Sequence, residues 1–350
     1  MPDWSQVRFR CKCAPHSIAR TATMTITRRT LLASLAAAPA AALMTRAAFA
    51  AYPERAIHLI VPFAAGGNAD IVGRIVGDVI SKAVKQTVVV ENRAGAGGSI
   101  GAAAVAHAAP DGYTLLVGSN GPLTVNPFVQ ASLGYDPLKD FAAVALTSYV
   151  PHAIILSNQV KAKDAAELVA LSKAAPITIA TSGVGSATHM TLERFKAATG
   201  ANVTHVPYRG GGALLPDVMS GSVNGAMTEF STALPLHKAG QAHIVAIASA
   251  QRSKLAPDIP TFEEGGVKGF LAQSFIGILG PAKLPPEIVA QLQKAVADGL
   301  TGGPAAERLV TLGSEVATAE QMTSKGFTDF IRADYEAMRE AAKLADIKPQ

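Results

Sequence analysis

Cysteine and tryptophan are missing from most of this chain. Of its 350 residues only Cys11, Cys13 and Trp4 are of these types, and all three lie within the first 50. A disulfide framework needs paired cysteines, and a thiolate metal site needs a spaced set of them. Both are therefore excluded beyond residue 50, where we expect the packed core alone to hold the fold. No metal site and no cofactor is predicted.

An excess of positive charge is also missing from the same stretch. The chain has 31 basic and 26 acidic residues, but seven of the basic ones and one acidic one lie within residues 1–50. The remainder holds 24 basic and 25 acidic residues and is nearly neutral, although the whole chain scores +5. A nucleic-acid surface needs clustered Lys and Arg. No nucleic-acid partner is therefore predicted.

The first 50 residues have the three parts of a secretory signal peptide. Arg28-Arg29 precedes an apolar run from Leu31 to Leu43, and Ala48-Phe49-Ala50 supplies the small residues of a cleavage site. The apolar run is too short to span a membrane. We predict export to the periplasm with cleavage after Ala50. The motif Thr27–Leu32 resembles a twin-arginine signal, so the Sec and twin-arginine routes both stay open, and Met24 is an alternative start to Met1.

Beyond residue 50, β-like apolar runs alternate with helix-like stretches. Strands are predicted over 57–61, 87–91, 113–118, 152–156, 177–181, 202–206, 223–227, 244–248 and 273–279. Helices are predicted over 70–83, 165–174, 287–300 and 320–345. An alanine-rich helix is also predicted after the loop Gly95–Gly98, and another helix after the turn Val206–Gly212. Such alternation indicates an α/β fold, a mostly parallel sheet with helices on both faces.

The alternation divides into two groups that the chain crosses twice, near residues 150 and 275. We predict a signal peptide and extension over 1–50, a first lobe built from 51–150 and 275–350, and a second lobe over 151–274. Two crossover segments suit hinge closure around a cleft between the lobes.

Two glycine-rich turns each follow a predicted strand and precede a predicted helix: Pro62 to Asn68 and Thr181 to Ala187. Such a turn directs free backbone N–H groups and the positive end of a helix dipole at one small volume. Ligands of open α/β sheets bind at the carboxyl ends of strands, where both turns lie. The sequence therefore predicts two anion cradles that face each other across the cleft.

Several side chains near these turns allow more than one interpretation. Ser182, Ser186 and Thr188 can donate to a carboxylate, and Ser186 or Thr188 can equally cap a helix. Tyr208 can offer a hydroxyl or a ring to a ligand. An enzyme that uses His189 or Glu229 as a base on the same scaffold is kept as an alternative.

The ordered motifs of residues 51–350 resemble the Bug family, the substrate-binding proteins of tripartite tricarboxylate transporters. The resemblance runs through Tyr52–Arg55, Val61–Phe63, Val90–Gly98, Ala109–Leu116, Tyr135–Pro137, Asp140-Phe141, His205–Tyr208, Ala233–Pro235 and Pro257–Thr261. Two positions depart from the family: Ala64-Ala65 replaces a usual proline, and Glu229 stands where aspartate is common. The second departure leaves the identity of the ligand open.

The resemblance implies a periplasmic-binding-protein fold, an exported monomer without enzymatic activity, and a small carboxylate as ligand. It implies delivery of the ligand to membrane transporter subunits, with an orphan receptor that feeds a sensor protein as the alternative. The implied ligand-binding residues are Phe63, Ala65, Gly66, Gly67, Asn68, Ser119, Asn120, Ser182, Gly183, Gly185, Ser186, Thr188, His189, Tyr208 and Glu229.

Overall fold

A computed structural model describes residues 52–344 and Pro349. The strands are β1 (Ile57–Val61), β2 (Val88–Asn92), β3 (Thr114–Gly118), β4 (Phe141–Ser157), β5 (Ile177–Thr181), β6 (Val203–Pro207), β7 (Gly225–Glu229), β8 (Ala242–Ile247), β9 (Gln273–Pro281) and β10 (Glu315–Val316). The α-helices are α1 (Asn68–Val84), α2 (Ser99–Ala106), α3 (Asn126–Val129), α4 (Ala165–Ala174), α5 (Ala187–Thr199), α6 (Gly211–Ser220), α7 (Phe230–Lys238), α8 (Pro286–Leu300), α9 (Gly303–Thr311) and α10 (Ser324–Leu344). The predicted signal peptide, both cysteines and the tryptophan lie outside the described residues.

The fold is α/β, as predicted. Strands β1 and β5 and helix α4 have the predicted bounds, and the other predicted strands and helices differ at their ends. Among the described residues the sequence prediction missed the helices α3, α7 and α9 and the short strand β10. It also shortened β4, which was predicted only over 152–156.

Strand β4 is 17 residues long and serves two groups of strands. Residues 141–151 pair antiparallel with β9, which in turn pairs with β3 beside the parallel strands β1 and β2. Residues 152–157 of β4 lie between β7 and β8, and β7 leads to the parallel strands β5 and β6. We call these groups the first half and the second half of the sheet. The partners of β4 change between Pro151 and His152.

The second half of the sheet is covered on both faces, as its alternating apolar residues show. Ile154 and Leu156 of β4 pack in one buried cluster with Phe195, whereas Ala153 and Ile155 pack in another with Phe230. Successive residues of a strand point to opposite faces, so helices on both sides are needed to bury them. On the first half, α8 and α10 pack against β4.

Within the described residues, no helix combines the length and apolar character that a membrane span requires.

Gly277 of β9 allows α10 to pack closely on the sheet. A Cβ at this position would lie 2.2 Å from Cζ of Phe327, which is fully buried. We expect Gly277→Ala to lower the free energy of unfolding by about 1–3 kcal/mol because the ring must move. Urea unfolding measures the change.

Gly77→Ala in α1 is the matched control. The added Cβ would make ordinary contacts of 3.4 Å with Val88 and Val90, and alanine favours the helix by up to about 1 kcal/mol over glycine. Equal unfolding midpoints for Gly277→Ala and the parent chain would show that α10 does not pack as described.

Candidate ligand-binding site

The turn between β1 and α1 is fixed by Asp70. Its Oδ2 accepts hydrogen bonds from Gly66 N and Arg74 Nε, both at 3.0 Å, and its Oδ1 accepts from Asn92 Nδ2 at 3.0 Å. Burial acts to raise the pKa of Asp70, but these hydrogen bonds outweigh it and hold the pKa below its ordinary value. Asp70 thus holds the shape of the turn. Because the N–H of Gly66 is already hydrogen-bonded to Asp70, it is not available to a ligand.

The turn between β5 and α5 is fixed by its own hydroxyl groups. Thr188 Oγ1 accepts from Ser182 N at 3.0 Å, and Ser186 Oγ caps α5 by accepting from His189 N at 3.2 Å. The two hydroxyls of Ser186 and Thr188 also lie 3.0 Å apart. Of the two predicted candidates, Ser186 is therefore the cap of α5, whereas Thr188 holds the turn by accepting from Ser182 N.

The two halves touch each other through glycine backbone. Ala64 N donates to Arg209 O at 2.9 Å, and a Cβ at Gly212 would lie only 1.9 Å from Ala65 O. Ser231 Oγ, at the start of α7, donates to Asn68 Oδ1 at 2.9 Å, and both residues are buried. The structure is a closed conformation, in which the run Gly210-Gly211-Gly212 lies against the first glycine turn.

A small cavity lies where the turns meet. About 20 Å³ of it is open to the centre of a water molecule, room for one or two waters. Its lining comes from both halves and holds no lysine or arginine. The lining residues are Phe63, Gly67, Asn68, Ala69, Ser119, Gly121, Ser182, Ser186, Ala187, Gly211, Glu229, Ser274 and Ile276.

The N-terminal ends of four helices among the described residues reach this cavity. Asn68 and Ala69 begin α1, Ala187 begins α5, Gly211 begins α6, and Glu229 is the residue before α7. The first N–H groups of a helix have no partner within the helix, and its dipole is positive at that end. The cavity therefore favours an anion without using a charged side chain.

One hydroxyl in the cavity has no partner in the protein. Ser182 Oγ is buried and makes no hydrogen bond. Leaving a buried hydroxyl unpaired costs about 1–3 kcal/mol. A bound ligand atom would remove this cost.

The predicted site residues do not all reach the cavity. Phe63, Gly67, Asn68, Ser119, Ser182, Ser186 and Glu229 line it. Gly183 and Tyr208 lie outside it, in a depression of about 260 Å³ that shares Phe63 and Ser182 with the cavity. The other predicted site residues line neither space: Ala65, Gly66, Asn120, Gly185, Thr188 and His189.

Asn120 lies at a different cavity, of about 450 Å³, beside the point where β4 changes partners. Its Oδ1 accepts from Phe275 N at 3.0 Å, so the side chain ties β9 to the end of β3. The Tyr208 hydroxyl donates a hydrogen bond to Asp217. Burial, and after it the contact with Asp217, raises the pKa of Tyr208 to about 12. These two side chains support the fold around the site and are already partnered.

The sequence analysis missed six residues of the lining: Ala69, Gly121, Ala187, Gly211, Ser274 and Ile276. The glycine run 210–212 was a visible signal, because three consecutive glycines favour close approach of backbone. Ser274 had no signal, since a single serine in an apolar strand is common.

Gly97-Gly98-Ser99-Ile100-Gly101 matches the G-x-S-x-G pattern of hydrolase nucleophile elbows. Ser99 is buried away from the cavity, where it accepts from Asn126 Nδ2 at 2.8 Å and donates to Gln130 Oε1 at 3.0 Å. An elbow serine is activated by a histidine, and the contacts of Ser99 in the described part of the chain include none. The motif here is a helix start.

His189 and His205 stack beside the second glycine turn, with ring centroids 4.2 Å apart. His189 Nδ1 accepts from Gly185 N at 3.3 Å, and His205 Nε2 lies 2.7 Å from Thr181 Oγ1. Burial lowers the pKa of both rings, that of His205 to about 4. Both rings are therefore neutral near pH 7 and hold the turn rather than contact the cavity. No cluster of His, Cys, Asp and Glu suited to a metal ion occurs among the described residues.

Glu229 is the one ionisable side chain in the lining. Its Oε2 accepts from Thr228 Oγ1 at 3.2 Å. Burial raises the pKa of Glu229, and hydrogen bonds with its own backbone, Thr228 and Ser274 act in the opposite direction.

Closure should depend on the absence of a side chain at Gly212. We expect Gly212→Ala to remove the closed conformation, because its Cβ cannot occupy the position of Ala65 O. Spin labels attached at K82C in the first half and K173C in the second half report the distance between the two halves, measured by double electron–electron resonance. A chain that starts at residue 51 has no other cysteine.

The exposed Ala213→Ser on the same helix is the control and should keep the closed distance. A closed distance that persists in Gly212→Ala would contradict this account of the glycine run.

His152 should make stability depend on pH. It is buried with 1% exposure, and burial lowers its pKa to about 3, against 6.5 in the unfolded chain. Only the unfolded state takes up the proton between these values, so stability is lost as the pH falls below 6.5. From pH 6.5 to 5 the loss should be about 1.5 kcal/mol.

Urea unfolding at several pH values measures this slope in the parent chain and in His152→Asn. The variant should lose less stability over the same interval, whatever its absolute stability. Parallel slopes would contradict the assignment.

Comparison with known proteins gives a consistent result. Residues 72–340 match the family model described as the tripartite tricarboxylate transporter family receptor. Protein BugT of Bordetella pertussis is 33% identical over 279 residues, which cover 79% of this chain and 86% of that protein.

Solved structures agree with the fold throughout. The periplasmic binding protein BugD superposes with a TM-score of 0.81 at 32% identity and covers 85% of this chain and 100% of its own. Rpa4515 of R. palustris with adipate has a TM-score of 0.81 at 30% identity, with coverages of 85% and 100%. MatC of Rhodopseudomonas palustris with bound malate has a TM-score of 0.77 at 31% identity, with coverages of 83% and 99%. The extent of these matches shows that the chain belongs to the TctC/Bug family of periplasmic solute-binding proteins and has their periplasmic-binding-protein fold.

Proposed function

We propose that this protein captures a small carboxylate-containing molecule in the periplasm and presents it to the membrane components of a tripartite tricarboxylate-type transporter. The observation that carries the proposal is the cavity between the turns, at which four helix N-termini and the unpaired hydroxyl of Ser182 converge. Two similar proteins hold carboxylates, adipate and malate. Export by the predicted signal peptide and a monomeric state belong to the same proposal.

The carboxylate would lie between the two glycine turns. In the proposed arrangement, Asn68, Ser182 and Ser186 contact it together with the N–H groups that begin α1 and α5. Neutral donors of this kind stabilise an anion by hydrogen bonds and dipoles, and bridging waters extend their reach.

The lobes predicted from the sequence, 51–150 with 275–350 and 151–274, form the two sides of a hinged clamp in this proposal. The change of partners along β4 at Pro151 and His152 supports this division. Closure selects the liganded conformation from an existing equilibrium, and the partner in the membrane recognises that conformation.

We assign the protein no reaction on its ligand. The family is one of receptors, and His189, one of the two bases of the enzymatic alternative, is not among the residues that line the cavity. A sensor protein in place of the transporter would use the same closed form, and uptake measured in a deletion strain separates the two partners.

The proposal is tested by thermal unfolding and calorimetry against mono-, di- and tricarboxylic acids, aromatic acids and the corresponding amides. A ligand at 100 times its Kd should stabilise the protein by about 2.7 kcal/mol, and it should be recovered unchanged. No response to any acid, or conversion of the bound compound, would overturn the proposal.

Ser182→Ala should weaken the best acid by about tenfold, because one hydrogen bond to a charged group contributes about 1.5 kcal/mol or more. The exposed Ser222→Ala should bind like the parent chain. Unchanged affinity in Ser182→Ala would place the carboxylate elsewhere.

A further inference from the structure

The depression beside the cavity is lined by both halves of the protein. The first half contributes Phe63 and the loop Gly95–Gly98, and the second half contributes Ser182–Val184 and Pro207–Arg209. Phe63 and Ser182 also line the cavity, so they form the boundary between the two spaces. The depression itself opens to the surface, since Pro207 and Arg209 on its wall are exposed.

The depression exists as one surface only in the closed conformation. A Cβ at Gly97 would lie 2.5 Å from Val184 O, and a Cβ at Gly185 would lie 2.0 Å from Asn126 Oδ1. Gly97 and Asn126 belong to the first half, whereas Val184 and Gly185 belong to the second. Separation of the halves would therefore divide the depression into two unconnected walls.

Two large apolar side chains remain exposed at this contact. Val184 is 51% exposed and Ile100 is 56% exposed. Ile100 lies against the wall of the depression, because a Cβ at Gly95 would be 2.5 Å from its Cδ1. Closure thus places one exposed apolar side chain from each half beside a single concave surface. Exposed apolar surface of this kind indicates an interaction site.

Arg209 gives the depression its charge. Among the described residues that line it, Arg209 is the only charged one. Within the part of the chain that the structure describes, its guanidinium makes no ion pair. Its carbonyl oxygen accepts from Ala64 N at 2.9 Å, so the backbone that carries this exposed side chain is fixed at the contact between the halves. The depression therefore favours a partner that carries a carboxylate.

A protein loop fits these features better than a lipid surface does. One cation increases the affinity for an anionic membrane by only about fivefold. A flat bilayer also cannot enter a concave space of about 260 Å³, whereas an apolar side chain can.

We propose that the depression is the surface at which the membrane components of the transporter recognise the closed protein. A periplasmic loop of these components places an apolar side chain between Ile100 and Val184 and a carboxylate on Arg209. The inference rests on the proposed function, which supplies the membrane partner. Because the loop contacts both halves, it binds the closed conformation more tightly than the open one. Capture of the ligand and docking then favour each other.

The experiment separates docking from ligand capture. Uptake of the best-binding acid is measured in a deletion strain that carries the full chain with Arg209→Glu or Val184→Ser. Uptake should fall at least about tenfold in Arg209→Glu, because a carboxylate would then face a carboxylate, and less in Val184→Ser. The Kd for the acid, measured by calorimetry, should stay within about twofold of the parent value, since neither side chain lines the cavity.

Two matched variants control for the change of chemistry. Val310→Ser on α9 alters a valine that is also 51% exposed, and Arg332→Glu reverses the charge of an exposed arginine on α10. Neither residue lines the depression, so both variants should support uptake like the parent chain. With saturating acid, the spin labels at K82C and K173C should report the same closed distance in Arg209→Glu as in the parent.

The results separate failure of this inference from failure of the proposed function. Parent-level uptake in Arg209→Glu, or an equal loss in Arg332→Glu, overturns the inference while carboxylate capture and transport stand. A loss of affinity for the acid that matches the loss of uptake also overturns it, because the depression would then belong to the ligand site. If the parent chain binds the acid but supports no uptake, the transport role itself fails and the inference falls with it.

Sedimentation with vesicles that contain phosphatidylglycerol tests the lipid alternative. The parent chain should stay in the supernatant. Binding to these vesicles that is lost in Arg209→Glu would overturn the inference, since the partner at the depression would then be the membrane surface.

Discussion

The change of partners along β4 is the constraint on which the site depends. A single strand belongs to the first half of the sheet up to Pro151 and to the second half from His152. The helix starts of both halves are thereby brought to one place, although α1 and α7 are separated by more than a hundred residues in the chain. Neither half has a complete cavity without the other, since the lining takes Asn68 from one and Ser182 from the other.

The closed contact is made largely by backbone, which explains where the glycines lie. Residues 210–212 approach the turn of residues 63–67 so closely that a side chain at Gly212 would overlap a carbonyl oxygen. Contacts between backbone groups lose little side-chain entropy on closing. A side-chain hydrogen bond also crosses this contact, from Ser231 Oγ to Asn68 Oδ1 at 2.9 Å, and it is buried.

The electrostatics of the cavity come from dipoles and one carboxyl group. Four helix starts provide a positive field, while Glu229 provides negative charge or an acceptor in the same small volume. His152, held neutral by burial, passes no charge to the site, and its Nε2 lies 2.8 Å from Ser274 Oγ.

The sequence by itself determined the α/β alternation, the two glycine turns and the near-neutral charge, because hydrophobic period, glycine and charge act locally. Helix capping by Ser186 or Thr188 follows from the same local chemistry, and the structure selects Ser186. Only the tertiary structure decided that Asp70 consumes the N–H of Gly66, that Asn120 faces a different cavity, and that Ser274 joins the lining. These outcomes depend on which distant strands become neighbours of β4, and no local pattern carries that pairing.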